Sequence, residues 1–580
     1  MDRTDILFSL LIVLCAFIAY WNSLENGFVY DDSRYIVSNR NIRSLSSLIS
    51  VVGFYRPIRW FSFAADYHFW KLNPLGYHLS NLLLHAACAL LVFHVAKLIT
   101  KDRLASLVAS LLFCIYPLTT EAVDNISNRN ELFGTFFSLS ALYLYIQKSK
   151  SLFFLLAVVP LHLFALMSKE AIAISLPIIY IVYDVYFTRD DDGRFSATRL
   201  APGFAFMLVS IVAIGYAIHA LGVGREVADA SLFLRANTFV NAGPFLINAE
   251  IWARTMATGL RLLAYPVNLA ADYPVPHISS MADSDMILSV VAILGFLVLL
   301  MAVTKRSKTA SFGLLWFLVF FLPVSNVIPI TSHYMADRYL YAPLIGYCLF
   351  AGVVFAAAYR HRVRWMQERT EKGILLALLV LCFALSVRAD WRRNVDWKSD
   401  LTIWLKTAKQ QSESPVAQYN AGAQLLLANR APAAVGYLQK AISIYEGYNI
   451  GVGDREKRKD RAPALMLKGC VAAHSSLGLA YDMMGKYEEA ERELRTAIGL
   501  QGNDYYSLFN IGIVYLHQGK LDDAIENLKR AAILNDTYSE THRALAEAFR
   551  RQGRETEAQR EYHRALQLVN EPPANRELPP

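Results

Sequence analysis

From Met1 to about Val387 the chain is cut into blocks of about 20 apolar residues separated by short polar loops. No other feature limits the fold as much. A helix needs about 20 such residues to cross a bilayer, where only helices and closed barrels satisfy their own backbones. Eleven blocks qualify, at about 6–24, 77–98, 104–118, 131–147, 152–168, 170–187, 201–221, 286–303, 310–330, 339–359 and 373–389. A further segment, 248–269, is amphipathic and carries Glu250, Arg254 and Arg261. It is expected to lie along the outer interface rather than span. The first block, ILFSLLIVLCAFIAYW, lacks a small-residue cleavage site before Trp21 and is followed by more blocks, so it reads as a retained anchor.

Composition agrees. With 55% hydrophobic residues the chain is neither disordered nor a typical soluble enzyme. The net charge of +8 does not point to nucleic acid, because Lys and Arg cluster in short loops between apolar blocks. There they orient the protein: KLITKDR (97–103), QKSK (147–150), TKRSK (304–308) and YRHRVRW (359–365) are expected on the cytoplasmic side. An odd number of spans then puts the C-terminal part outside, in the periplasm of an inner-membrane protein or in the lumen of the endoplasmic reticulum. Five of the six cysteines lie in or beside apolar blocks and Cys470 is alone in the soluble part, so neither a disulfide framework nor a Cys-rich metal site is expected.

This topology gathers chemistry on one face. The outer loops hold Asp31 and Asp32, then Glu121, Arg129 and Glu131, then Lys169 and Glu170, then His333, Asp337 and Arg338. Mainly basic loops face the other side, although TRDDDGR (188–194) places acids there too. His78, Asn81 and His85 share one face of a membrane helix, and interhelical hydrogen bonding accounts for them better than substrate or metal. The sequon-like triplets Asn125-Ile126-Ser127 and Asn535-Asp536-Thr537 would be outside as well, open to glycosylation in a eukaryote.

Beyond Trp391 the sequence turns charged, and a period of 34 residues emerges. Gly485, Gly519 and Gly553 keep it, as do Ala490, Ala524 and Ala558, Ala497, Ala531 and Ala565, and Tyr481, Tyr515 and Phe549. An earlier copy carries Gly422, Ala434 and Ala441, followed by a charged insertion around GVGDREKRKDR (451–461). These are tetratricopeptide repeats, whose stacked helix pairs build a concave groove for peptides or partner proteins. Asn420 and Asn510, on first helices of their repeats, are candidates to grip a peptide backbone, although ordinary surface asparagines are the stronger reading.

The expected fold class is therefore all-α: a polytopic membrane domain of about 11 spans plus an interfacial helix, followed by an α-solenoid. The expected division is a membrane domain at 1–390, a connector at 391–412, repeats at 413–570 with an insertion at about 446–468, and a tail at 571–580.

Several stretches spread over nearly the whole chain carry a resemblance: DDSRYIVSN (31–39), YRPI (55–58), GYHLSNLLLH (76–85), YPLTTEAVDNISNRNELF (116–133), SKE (168–170), ADRYLYAPLIG (336–346) and RNVDWKSDLTIW (393–404). With the repeats, they make the chain resemble the transmembrane and tetratricopeptide-repeat-containing O-mannosyltransferases of GT-C type and their prokaryotic relatives. Two positions depart from that pattern: Tyr116 precedes Pro117 where the family has histidine, and Ile58 stands for the usual leucine.

The resemblance implies transfer of a sugar, mannose in the family, from a polyprenyl- or dolichyl-phosphate carrier to protein Ser or Thr hydroxyls on the outer face. It places Asp31 as base or acceptor-positioning residue, with Asp32 assisting or binding a divalent cation (Mg or Mn) in the event that one is used. Two adjacent acids in low-dielectric surroundings suit a base of raised pKa. Arg129, Lys169, Arg338 and His333 are the candidates for the donor phosphate and sugar, and Glu121, Glu131, Glu170 and Asp337 for positioning acceptor or sugar. Each of these also reads as half of a structural ion pair, and the acidic pair as a turn after a span. The implied partners are the lipid-linked sugar, an acceptor protein on the repeats and the bilayer, with no nucleic acid. Two alternatives stay open: a ligase or polymerase of lipid-linked glycans, and a membrane-anchored scaffold without catalysis. Transport would instead place charges or broken helices at mid-membrane.

Overall fold

The computed structural model describes residues 2–44, 56–147, 152–188, 200–221, 244–274, 283–327, 334–361, 368–447 and 464–570. They divide into two compact units, Met1–Ile403 and Trp404–Pro580, and all regular structure among them is helical.

The first unit contains α1 (Arg3–Tyr20), α2 (Pro57–Trp70), α3 (Pro74–Thr100), α4 (Arg103–Cys114), the short α5 (Thr120–Asp124), α6 (Arg129–Gln147), α7 (Leu152–Leu166) and α8 (Glu170–Phe187). After these come α9 (Ala201–Leu221), α10 (Pro244–Ala264), α11 (Ser284–Thr304), α12 (Lys308–Phe321), α13 (Tyr341–Arg360) and α14 (Glu368–Asp396). Local chemistry sets several starts: the side chains of Asp2, Asn73, Asp102 and Ser307 each accept an amide hydrogen of the following first turn. Pro74 occupies a first-turn position where no amide hydrogen is needed.

Water does not solvate this unit. Ile287, Leu288, Val291, Leu294, Val298 and Met301 lie exposed along α11, and α14 shows a similar leucine-rich face. Only 11% of the apolar window of α11 and 6% of that of α14 is buried in protein. Apolar surface on that scale marks helices whose solvent is lipid. The protein is an integral membrane protein.

Among the described residues, six helices are long and apolar enough to span: Arg3–Glu25, Pro74–Thr100, Glu170–Phe187, Ser284–Thr304, Asp337–Arg360 and Thr370–Asp396. This is fewer than the eleven expected, for local reasons. The block at 104–118 is a helix of 12 residues, about 18 Å long, that bends by 51° before continuing as Pro117–Asp124. Counted together, that pair makes a seventh span. The block at 310–330 holds a shorter apolar helix, Lys308–Val324, and those at 152–168 and 201–221 hold α7 and α9, whose fully described stretches are Leu156–Leu166 and Ala201–Ala213. The segment 248–269 is not among these six. It is the helix α10, but Glu250 is fully buried and bonded to Arg254, which in turn meets Asp283 at 2.5 Å. Glu250 and Arg254 thus hold protein to protein, while Arg261 is exposed.

The core helices approach closely where side chains vanish. A β carbon at Gly313 of α12 would lie 2.6 Å from the Gly346 carbonyl oxygen of α13, and one at Gly352 would lie 3.0 Å from the Ala109 nitrogen of α4. Small residues allow such contacts between membrane helices. They also fix the start of α13, which follows Asp337 and Arg338 directly.

The second unit is a run of helix pairs: α16 (Pro415–Leu427) with α17 (Ala431–Tyr445), α18 (Ala464–Met483) with α19 (Tyr487–Leu500), α20 (Tyr505–Gln518) with α21 (Leu521–Leu534), and α22 (Ser539–Arg551) with α23 (Glu555–Asn570). Before them lies α15 (Asp400–Gln410), inside which the two units divide. Gly422, Gly478 and Gly512 sit so close to the buried Leu438, Leu494 and Leu528 that a β carbon would meet each leucine Cγ at 2.5 to 2.6 Å. The turn between paired helices takes a left-handed residue: Gly485, Gly519 and Gly553 at φ of +72 to +76°, and Asn429 at +56° in the first copy.

Gly313→Leu should lower the melting temperature of the detergent-solubilised protein, as overpacking of about 1–3 kcal/mol would. Gly295→Leu, whose β carbon meets nothing within 4 Å, should leave it unchanged.

Candidate active site

The chain leaves α1 through a short 3-10 turn and enters a loop, Asn26–Asp32, whose polar groups are almost all engaged. The Asn26 amide group donates to the Asn394 carbonyl at 2.9 Å, and the Gly27 amide to the Lys398 carbonyl at 3.2 Å. His78 of α3 lies 3.3 Å from the Gly27 carbonyl, and the Tyr30 amide donates to Asp400 Oδ1 at 2.6 Å. The stretch 393–400, at the end of the membrane unit, is therefore the socket of the acidic loop.

Asp32 closes the loop from the other side. It is fully buried, and its two oxygens accept the backbone N–H groups of Val29 at 3.1 Å and Ser127 at 2.7 Å. Burial outweighs these bonds and pushes its carboxyl up to about 7. Each Asp32 oxygen thus accepts one backbone N–H, which ties the carboxyl to the loop on both sides. Among the described residues no group of three or more His, Cys, Asp or Glu is arranged to hold a metal ion.

Asp31 is different. Its side chain is exposed, with only its backbone carbonyl engaged in the following turn by the Arg34 and Tyr35 amides. Its carboxyl is raised, mainly by desolvation, and held back by the charges of Arg338, Arg59 and Arg34. Asp31 is thus an open carboxylate within electrostatic reach of three guanidinium groups. Of the three, Arg59 is buried between aromatic rings, 4.4 Å from the Tyr35 centroid and 4.8 Å from that of Trp60.

The remaining outer loops converge on it. Glu121, fully buried in α5, accepts the Arg338 backbone N–H at 2.8 Å through one oxygen and the Arg338 guanidinium through the other. Arg338 lies 5.1 Å from the Tyr339 ring centroid, and Lys169 lies 6.0 Å from the same ring. Lys169 pairs with Glu131 at 2.5 Å, while Glu170 is gripped by Arg56 at 2.5 and 3.1 Å. Asp337 is buried, accepting the Tyr273 hydroxyl at 2.5 Å, with Arg393 at 3.4 Å.

Arg129 is placed elsewhere. Only 2% exposed, it donates to Asn81 at 2.6 Å, the Tyr77 carbonyl at 2.9 Å and Ser62 at 3.3 Å, and pairs with Asp66 at 2.6 Å. Its guanidinium is spent fastening α2, α3 and α6, so its geometry is that of a clamp and not of a phosphate ligand. His333 lies outside the described residues, as does the 451–461 insertion. Asn420 donates to Val416 of its own helix at 2.9 Å, and Asn510 to Ser475 of α18 at 3.3 Å. Asn81 and His85 bond to neighbouring elements: Asn81 to the Val123 carbonyl, His85 to Tyr341 and the Cys114 carbonyl. Asn125 is 1% exposed and accepts the Ser127 hydroxyl at 2.6 Å, which closes it to glycosylation in the folded protein. Tyr116, where histidine was expected, hydrogen-bonds to the Leu263 carbonyl.

Sequence reasoning missed Arg59, Tyr273, Arg393 and Asp400. Arg393 and Asp400 stand in the RNVDWKSDLTIW stretch, so the signal was present without a role attached.

An integral membrane unit with an acidic loop at its polar face, followed by a tetratricopeptide solenoid, defines the class. Comparisons with known proteins agree. The tetratricopeptide repeat family model matches residues 476–539. A second model, the apolipoprotein N-acyltransferase N-terminal domain, matches 278–423, a stretch that crosses the boundary between the two units. The chain is 27% identical over 437 residues to protein O-mannosyl-transferase F38B6.6 of Caenorhabditis elegans, covering 71% of this chain and 59% of that protein. It is 24% identical over 606 residues to protein O-mannosyl-transferase TMTC3 of Homo sapiens, covering 96% and 64%. The chain thus spans less than two thirds of the length of these curated relatives. Among solved structures, MamA is 18% identical with a TM-score of 0.23, over 29% of this chain and 86% of that one. This protein is a homologue of the TMTC-family protein O-mannosyl-transferases.

Two outcomes follow from the geometry. Arg338→Ala strands a buried carboxylate and should destabilise the protein by about 3–5 kcal/mol, whereas Glu121→Gln combined with Arg338→Met should recover most of that loss in a thermal melt. Asp32 has its folded pKa raised from 3.8 to about 7, so the folded state holds an extra proton across that window. Stability should therefore fall as pH rises from about 4 to about 7, and Asp32→Asn should remove that share of the slope.

Proposed function

We propose that this protein is a membrane glycosyltransferase that moves a sugar, mannose as in the names of its relatives, from a polyprenyl- or dolichyl-phosphate carrier to Ser or Thr hydroxyls of proteins. The observation that carries this reading is the exposed Asp31 beside Arg338, Arg59 and Arg34, where separate polar loops meet at the ends of lipid-facing helices. In this reading Asp31 accepts the proton of the acceptor hydroxyl as its oxygen bonds to the anomeric carbon. The bond from that carbon to the phosphate oxygen breaks, and the charge left on the phosphate is met by Arg338. A carboxyl raised by desolvation is better poised to take a proton than an ordinary aspartate. Asp32 holds the loop rather than reacting.

The carrier lipid stays in the bilayer beside the membrane domain, 1–390, and the repeats, 413–570, receive the acceptor or a partner protein. The basic loops orient the site and the repeats to the extracytoplasmic side, periplasmic or lumenal.

The test is mass spectrometry of exported or lumenal proteins from cells lacking this protein, complemented with wild type or with Asp31→Asn at equal expression. Hexose on Ser and Thr should return with wild type and fall by about 10²-fold or more with the variant. Equal restoration by both would move the chemistry away from Asp31. Restoration by neither would favour the ligase or scaffold alternative.

A further inference from the structure

The residue before Asp31 is strained. Tyr30 has a φ of +58°, in the left-handed region that a bulky L-residue rarely enters. Among the described residues six other non-glycine positions have positive φ, and Tyr30 is the aromatic one among them. Lys101 and Asn429 lie at helix ends, where such a turn is ordinary, whereas Tyr30 is the second residue of the turn Val29–Asp32, closed by the Asp32 amide on the Val29 carbonyl at 3.0 Å. Strain of this kind persists only where surrounding contacts over-determine it.

The contacts here are specific. The Tyr30 amide donates to Asp400 Oδ1 at 2.6 Å, a short charge-assisted bond made directly at the strained residue. The preceding residues are tied to the same stretch through Gly27 and Lys398, and through Asn26 and Asn394. On the far side, Asp32 is fixed to the Ser127 amide and the Asp31 carbonyl is fixed by the Arg34 and Tyr35 amides. With both flanks anchored, the Tyr30 backbone is what remains to aim the Asp31 side chain. A change in the Tyr30 backbone would redirect the chain at Asp31, the residue that follows it.

We propose that Asp400 is a positioning residue for Asp31, its carboxylate holding Tyr30 in the left-handed conformation that points Asp31 into the site. This rests on the transferase reading above. Asp400 acts on the backbone of the loop and takes no part in bond making. It stands outside the spans, at the first residue of α15.

A double-mutant cycle tests it, because glycine adopts the left-handed region without cost. The full chain in detergent is assayed with dolichyl-phosphate mannose and a Ser/Thr-rich peptide. Asp400→Ala should lower kcat on the order of tenfold, the effect of losing about 1.4 kcal/mol of transition-state stabilisation, with KM for the lipid donor unchanged. Asp400→Asn keeps a carbonyl acceptor for the Tyr30 amide and should stay within about threefold of wild type, since only the charge of the bond is lost. In the Tyr30→Gly background, which already carries any loss due to the phenol, adding Asp400→Ala should cost less than about twofold, because no strain remains to be held.

Equal loss in both backgrounds, or loss with Asp400→Asn as deep as with Asp400→Ala, overturns the proposal. Should Asp400→Ala fail to fold, recovery of folded protein by Tyr30→Gly supports the coupling, and failure of the double variant overturns it. Melting temperatures of the same four proteins give a second readout. If wild type transfers no sugar, the transferase reading falls, while non-additive melting temperatures would still establish that Asp400 holds Tyr30.

Discussion

A carboxylate sealed at the end of a membrane bundle has to be neutralised where it lies, and the pairing of Glu121 with Arg338 does this. Both oxygens of Glu121 are taken by one residue, through its backbone and its guanidinium. The pair is thus a hinge pin as much as a charge pair: it fixes α5 to the 3-10 turn that starts α13. Much of the polar face follows from it. Arg338, still 12% exposed at its side chain, stays within reach of Asp31, and its neighbour Asp337 is delivered to Tyr273 and Arg393. The tight glycine contacts of α13 with α12 and α4 keep the turn at a set height in the bundle.

The face is built from buried pairs that fasten loops and from one exposed acid that fastens nothing through its side chain. Lys169 with Glu131 and Arg129 with Asp66 are buried, Arg56 with Glu170 is half-buried, and each pair joins elements distant in sequence. Burying such charges is costly, and removing one partner costs more than the pair is worth. This makes Lys169 and Arg129 poor candidates for donating a free charge to a ligand, whereas Arg338, also paired, lies within electrostatic reach of the open Asp31. It also separates Asp31 from Asp32. They are neighbours in sequence, yet one is committed to two amide hydrogens and the other is open.

The long spans were legible because uniform apolar runs of more than 18 residues have no other stable home than lipid. The shorter ones were not, since composition does not reveal where a helix ends. Tyr116-Pro117 breaks the block at 104–118, and a 12-residue helix emerges from what read as a span. The repeats were legible in their columns of glycine and alanine, because each small residue answers a specific close contact, such as Gly512 against Leu528. Charge partners were the least legible. Arg338 sits beside Asp337 in sequence, but its carboxylate is Glu121, 217 positions away. Arg129 looked like a ligand because its loop was assigned to the outer face, and nothing local announced that Asp66, on a helix absent from the span count, would absorb it.

The segment that ends the membrane unit explains why an acidic loop near residue 30 should depend on residues near 400. The last span, α14, runs beside α1, and their C-terminal ends meet, so the chain leaving one passes the chain leaving the other. Asn394 bonds to the Ala19 carbonyl and to Asn22, and Trp391 to the Ile18 carbonyl, before Lys398 and Asp400 reach the loop itself. These bonds are mostly to backbone, so they set position without demanding particular side chains on the acidic loop. A loop held in this way keeps the conformation of Tyr30 although its own sequence does not favour it, and the stretch 393–400 belongs to the architecture of the site as much as the acids do.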